Sequence, residues 1–117
     1  METTKKSNYQ VIYTNTAEHY FLETLTYIYQ NHTLTRAEEL IDELVSLAQS
    51  LEVMPQRGAL EKWLVEKVNE YRFLLFRRTK RSGVKIVYFI EESSKKVFIT
   101  DFFPTEMDPE EMIMRTK

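Results

Sequence analysis

The sequence predicts an α+β fold: an N-terminal strand, an antiparallel helix pair packed on one face of an antiparallel β-sheet meander, and a short C-terminal helix. Three observations predict it. Apolar residues between positions 15 and 51 recur at helical spacing, the period changes after Trp63 to short runs rich in Val, Ile, Phe and Tyr, and Asp108-Pro109-Glu110-Glu111 has the composition of a helix start. A chain of 117 residues with 43% apolar and 29% charged residues suits one domain, 1–117, with residues 1–8 expected to be flexible.

Each element has its own signal. YQVIYT, residues 9–14, is β-branched and aromatic and reads as a strand. Asn15 or Thr16 then caps a first helix, with Glu18 placed as in a capping box and Ala17, Tyr20, Phe21, Thr24, Leu25 and Ile28 on one stripe. After His32-Thr33-Leu34, Thr35 and Glu38 repeat the cap pattern. Ala37, Leu40, Ile41, Leu44, Ala48 and Leu51 form a second stripe that Glu38, Glu39, Asp42 and Glu43 avoid. A short link between the two favours an antiparallel pair, and Pro55 and Gly58 end the helical half.

Four runs follow, WLVEKV, YRFLLFRR, VKIVYFIE and KVFITDFF, separated by turn-forming residues. The middle two are apolar at both alternating sets of positions, so both of their faces call for burial. Asp108 as N-cap, Pro109 at the first helical position and two acids behind it predict a terminal helical turn through Met114. Two helices cover one face of such a sheet. The other face is expected to be uncovered and to display Lys85, Val87 and Phe89 on one side of their strand, as a platform for a partner.

Charge is segregated. Residues 57–96 carry eleven Lys/Arg against five Glu, while the whole chain has a net charge of −2. Arg77, Arg78, Lys80 and Arg81 surround the turn between two strands, where cations also deter edge pairing. Arg72 and Lys85 lie within apolar strands and are expected on one concave surface with aromatic neighbours. The candidate partner-binding residues are therefore Arg72, Arg77, Arg78, Lys80, Arg81, Lys85 and Phe89. His19 reads as a surface residue, His32 as a helix-end residue, and Trp63 as a core anchor.

Several classes are disfavoured. Without cysteine there is no disulfide, thiolate metal site or cysteine nucleophile, and two separated histidines argue against a dedicated metal site. No cofactor is expected. No apolar window approaches the ~20 residues of a membrane helix, and METTKKSNYQ has no apolar run behind its lysines, so a cytoplasmic protein without a membrane partner is expected.

The strings PQRG, YRFLLF, SGVKIVYFIEE and VFITDFF, in this order, resemble the RelE/ParE toxin superfamily of bacterial type II toxin-antitoxin modules, in its ParE-like, plasmid-stabilisation branch. The resemblance spans nearly the whole chain. It implies a cognate antitoxin from an adjacent gene, whose C-terminal segment wraps and neutralises the toxin. RelE-like members cut mRNA in the ribosome; ParE-like members inhibit DNA gyrase. The ribonuclease branch carries an arginine in the strand matching SGVKIVY, where this chain has Lys85, and an arginine and a tyrosine near the C-terminus. Residues 101–114 contain neither and are strongly acidic, which repels a phosphate backbone.

The resemblance therefore favours a toxin that binds its target, with DNA gyrase as the ParE-like candidate. A ribosome-dependent, metal-independent mRNA endonuclease is the first alternative, with Arg72, Lys85 and Tyr88 as its catalytic candidates. A non-toxic interaction module on the same scaffold is the second. A homodimer is compatible with all three.

Overall fold

A computed structural model describes residues 8–79 and 82–116. Residues 1–7, expected to be flexible with Asn8, and Lys80 and Arg81 of the basic turn lie outside the described residues. The strands β1 (Gln10–Tyr13), β2 (Ala59–Leu60), β3 (Arg72–Arg77), β4 (Gly83–Glu91) and β5 (Lys96–Pro104) form one sheet in the order β1-β5-β4-β3-β2. β1 runs parallel to β5, and the other neighbours are antiparallel. The chain leaves β1 at one edge and crosses one face of the sheet through the helices α1 (Asn15–Asn31) and α2 (Leu34–Gln49). It returns strand by strand from β2 at the other edge to β5, which is how β1 and β5 come to lie parallel.

Both predicted helical stripes face the sheet. Ala17, Thr24 and Ile28 of α1 and Ala37, Leu40, Leu44 and Ala48 of α2 are buried, with Leu51 just beyond. They pack on Phe76, Val84, Ile86, Tyr88, Val97, Ile99 and Phe102. Each buried Leu or Ile side chain contributes roughly 1.5–3 kcal/mol. The caps fall earlier than predicted. The Thr14 hydroxyl accepts from the Ala17 amide at 3.1 Å and the Thr33 hydroxyl from Arg36 at 3.2 Å, while Asn15 and Thr35 already lie within the helices. A threonine in extended backbone reaches the amide three residues on without help from the later glutamate.

Two expectations fail here. WLVEKV is not a strand: Lys62–Leu64 is a single 3₁₀ turn, and the edge of the sheet is the two-residue β2, which pairs with Arg72 and Phe73. The apolar residues of that run do not share a destination. Leu64 is buried, whereas Val65 and Val68 are exposed, and Trp63 is 43% exposed rather than a core anchor. The Glu61 carboxylate accepts from the Trp63 amide at 3.1 Å and holds the turn.

The second expectation was an uncovered sheet face. The chain covers much of it with α3 (Pro109–Arg115) and the segment around Leu64: Leu64, Tyr71, Val87, Phe103 and Met112 form a second buried cluster, flanked by Phe73, Phe89, Met107 and Ile113. The terminal helix begins as predicted, with Asp108 accepting from the Glu110 amide at 3.0 Å and Pro109 in the first turn. Its Met112 is what caps the sheet. A strand apolar on both faces needs burial on both, and this short helix provides the second layer.

Candidate functional site

Directly paired residues of neighbouring strands point to the same face, so the β3–β4 register decides which cations can cooperate. Arg72 pairs with Tyr88 and Leu74 with Ile86, on the side of the helix pair; Leu75 pairs with Lys85 and Phe73 with Val87, on the side of α3. Arg72 and Lys85 therefore lie on opposite faces. The single concave surface expected to hold both does not exist, because their separation along the ladder has odd parity.

Each is engaged locally. Lys85 donates from Nζ to Glu61 Oε1 at 2.8 Å, stands 4.4 Å above the Phe73 ring, and is partly exposed, while the Glu61 side chain is fully buried. Arg72 donates to the Gly58 carbonyl at 2.9 Å and to Glu70 at 2.8 Å. Tyr88 is fully buried and donates its hydroxyl to the Pro55 carbonyl at 2.5 Å. Burial pushes the Tyr88 phenol up, against weaker opposing effects of the Gly58 backbone and the nearby arginines, which keeps it a neutral donor.

PQRG has a structural explanation in the same contacts. Pro55 receives Tyr88, and the Arg57 guanidinium donates to the Val53 carbonyl at 2.9 Å. Gly58 passes so close to Tyr88 that a Cβ there would overlap the phenol oxygen. Its φ of −68° is ordinary, so the glycine is required for space and not for backbone conformation.

The basic turn splits as well. Arg77 pairs with Gly83 on the Lys85 side and is exposed, whereas Arg78 turns towards α1, where it donates to Glu106 at 3.2 Å and stacks 4.9 Å from the Tyr27 ring centroid. Phe89 shares its face with Lys85 but is engaged by aromatic neighbours, edge-on to Tyr71 at 5.5 Å and stacked on Phe98 at 5.3 Å.

What remains accessible on the α3 side is a strip along the outer half of β3. Leu75 and Arg77 are exposed, and Phe73 and Lys85 are partly exposed. β2 accompanies only Arg72 and Phe73, so among the described residues no strand pairs with the outer edge of residues 74–77. The strip is both cationic and apolar, and it borders the part of β3 that β2 does not accompany.

Two functional groups escaped the sequence pattern. Glu61 neutralises Lys85, and the only hint of it was a lone acid after PQRG in a basic region. Arg115, just beyond the acidic stretch, donates to Asp101 at 2.8 Å, and its guanidinium lies 3.6 Å from the Tyr20 ring centroid. Asp101 is fully buried, and burial raises its pKa to about 6, outweighing the lowering by Arg115 and the Phe102 amide. Among the described residues no group of three or more His, Cys, Asp or Glu is arranged to hold a metal ion, and no helix is long and apolar enough to cross a membrane.

No curated protein and no solved structure matches the chain. A family model described as the ParE toxin of the type II toxin-antitoxin system, parDE, matches residues 11–109, from β1 to the first residue of α3. With this match spanning most of a chain whose α+β architecture fits that fold, the protein belongs to the ParE toxin family of type II toxin-antitoxin systems.

Proposed function

We propose that this toxin acts in the cytoplasm by binding a protein target, with DNA gyrase as the ParE-like candidate, and does not cleave RNA. Metal-free RNA cleavage needs cations that converge on a phosphate and a proton-transferring group within reach of it. The observation that carries the reading is the dispersal of these groups: Lys85 is held by Glu61 on one face, while Arg72 and the buried Tyr88 lie on the other. Arg115, the one arginine near the C-terminus, is bound to Asp101.

The cognate antitoxin is proposed to lay an extended segment along residues 74–77 of β3. Backbone bonds would supply affinity there, with Leu75, Arg77 and Lys85 selecting acidic and apolar side chains.

Induced expression tests the reading. Growth should stop, co-expression of the neighbouring small gene should restore it, and purified toxin should inhibit DNA supercoiling by gyrase while primer extension on translating mRNA shows no new ends. New mRNA ends that disappear in a folded Lys85→Ala variant would establish the endonuclease reading instead. Indifference of cells to high expression would leave only an interaction module.

A further inference from the structure

Between α1, the turn-proximal ends of β3 and β4, and residues 102–107 lies a cavity of about 470 Å³, within the range of small-molecule sites. Its walls are mainly apolar and aromatic, with Tyr20, Tyr27, Phe102 and Met107 around it. Arg78 reaches into this setting with a side chain only 8% exposed.

The guanidinium of Arg78 is incompletely used. Nη2 donates to Glu106 Oε1, but Nε is buried and has no hydrogen-bond partner. Nε and Nη2 together form the side-on edge of an arginine, which takes a carboxylate through two parallel bonds. Glu106 satisfies half of that edge from a side chain that is itself 54% exposed and free to swing away. A buried donor without a partner costs stability, so the site gains by accepting a group that fills both positions. The second arginine at the cavity, Arg115, donates from Nη1 to the buried Asp101 carboxylate and from Nη2 to the Met107 sulfur and stacks on the Tyr20 ring, so its charge already has a carboxylate partner.

We propose that this cavity binds a small aromatic carboxylate, whose ring lies among Tyr20, Tyr27 and Phe102 and whose carboxylate displaces Glu106 from the Nε/Nη2 edge of Arg78. This binding is independent of which cellular target the toxin engages. Fixed charge makes the recognition selective: Glu23 and Glu106 at the cavity repel an anion that cannot reach the arginine edge, and a neutral amide of the same shape cannot form the charge-assisted pair.

The test uses the full chain, ¹⁵N-labelled, titrated with 3-phenylpropanoate and, separately, with 3-phenylpropanamide. The carboxylate should give saturable shifts at the Arg78 Nε–H and at the amides of Tyr27 and Met107, with the amide at least ~10-fold weaker. Arg78→Lys keeps the charge but loses the edge and should weaken binding by a similar factor. Thr24→Leu fills the cavity from α1 and should abolish binding, which keeps the test decisive should the arginine variant fail to fold. Glu106→Ala removes the competing carboxylate and should tighten binding several-fold. Absence of saturable shifts in the natural protein, equal affinity for the amide, wild-type affinity in Thr24→Leu, or weaker binding in Glu106→Ala would each overturn the proposal.

Discussion

Replacing Asp101 with asparagine should change how stability depends on pH, in a direction that separates two views of the Asp101–Arg115 pair. If the ion pair dominates, the carboxylate is stabilised in the folded protein and its loss on acidification destabilises the fold. The structure argues the reverse: Asp101 is fully buried, one carboxylate oxygen has no partner, and its pKa stands at about 6 against an ordinary 3.8. A raised carboxylate pKa means that between these values the folded state binds more protons than the unfolded chain, so stability falls as pH rises. At 1.36 kcal/mol per tenfold change in proton affinity, the fall amounts to about 3 kcal/mol.

The fall should be complete just above pH 6 and absent below about pH 4. Asp101→Asn cannot titrate, so subtracting its urea-unfolding free energies from those of the natural protein removes the contribution of the other groups. The difference should decline by about 3 kcal/mol between pH 3.5 and 7. A difference that rises with pH would show that Arg115 wins over desolvation, and a constant difference would show that Asp101 does not titrate in this range; either result refutes the reasoning.

Neighbouring contacts give further perturbations. In Arg115→Gln, which removes the strongest influence lowering the Asp101 pKa, the same decline should extend to higher pH, as urea curves above pH 6 will show. Gly58→Ala drives a methyl group into the Tyr88 phenol and should cost about 2–4 kcal/mol by chemical denaturation, with a partial return in Gly58→Ala/Tyr88→Phe. Tyr88→Phe alone leaves the buried Pro55 carbonyl without its donor and should cost about 1–3 kcal/mol. Lys85→Ala strands the fully buried Glu61 carboxylate and should destabilise by roughly 2–4 kcal/mol, whereas Lys85→Ala/Glu61→Gln should recover part of that.

The helices were legible because both signals that define them are local. Their apolar stripes and the 108–111 cap read directly onto buried faces and a capped turn. Strand identity was less so. WLVEKV has strand composition, yet only Leu64 is drawn inwards, and nothing in a six-residue window reveals that Glu61 caps a turn there. Pairing was beyond reach for a different reason: the parallel contact of β1 with β5 joins residues more than eighty positions apart, such as Gln10 and Lys96.

The candidate site failed as a single surface for a reason the alternation of a strand already contains. Lys85 and Arg72 belong to different strands, so their relative face depends on the hairpin register, and a shift of one residue would have brought them together. The register observed places Gly83 opposite Arg77, and a Cβ on Gly83 would press into the Phe76 carbonyl, so this glycine is one point where the sequence pins the hairpin. The cations consequently divide the labour. Arg77 lies on the part of β3 that β2 does not accompany, with Lys85 on the same face of β4 and held by Glu61; Arg72 braces the PQRG turn through Gly58; and Arg78 turns inward with one donor of its side-on edge unpartnered at a cavity. The antitoxin segment proposed along residues 74–77 gives a test: charge reversal at Arg77 should weaken antitoxin binding, whereas charge reversal at Arg72, which removes the donors to the Gly58 carbonyl and Glu70, should destabilise the fold and leave antitoxin binding by the folded protein nearly unchanged.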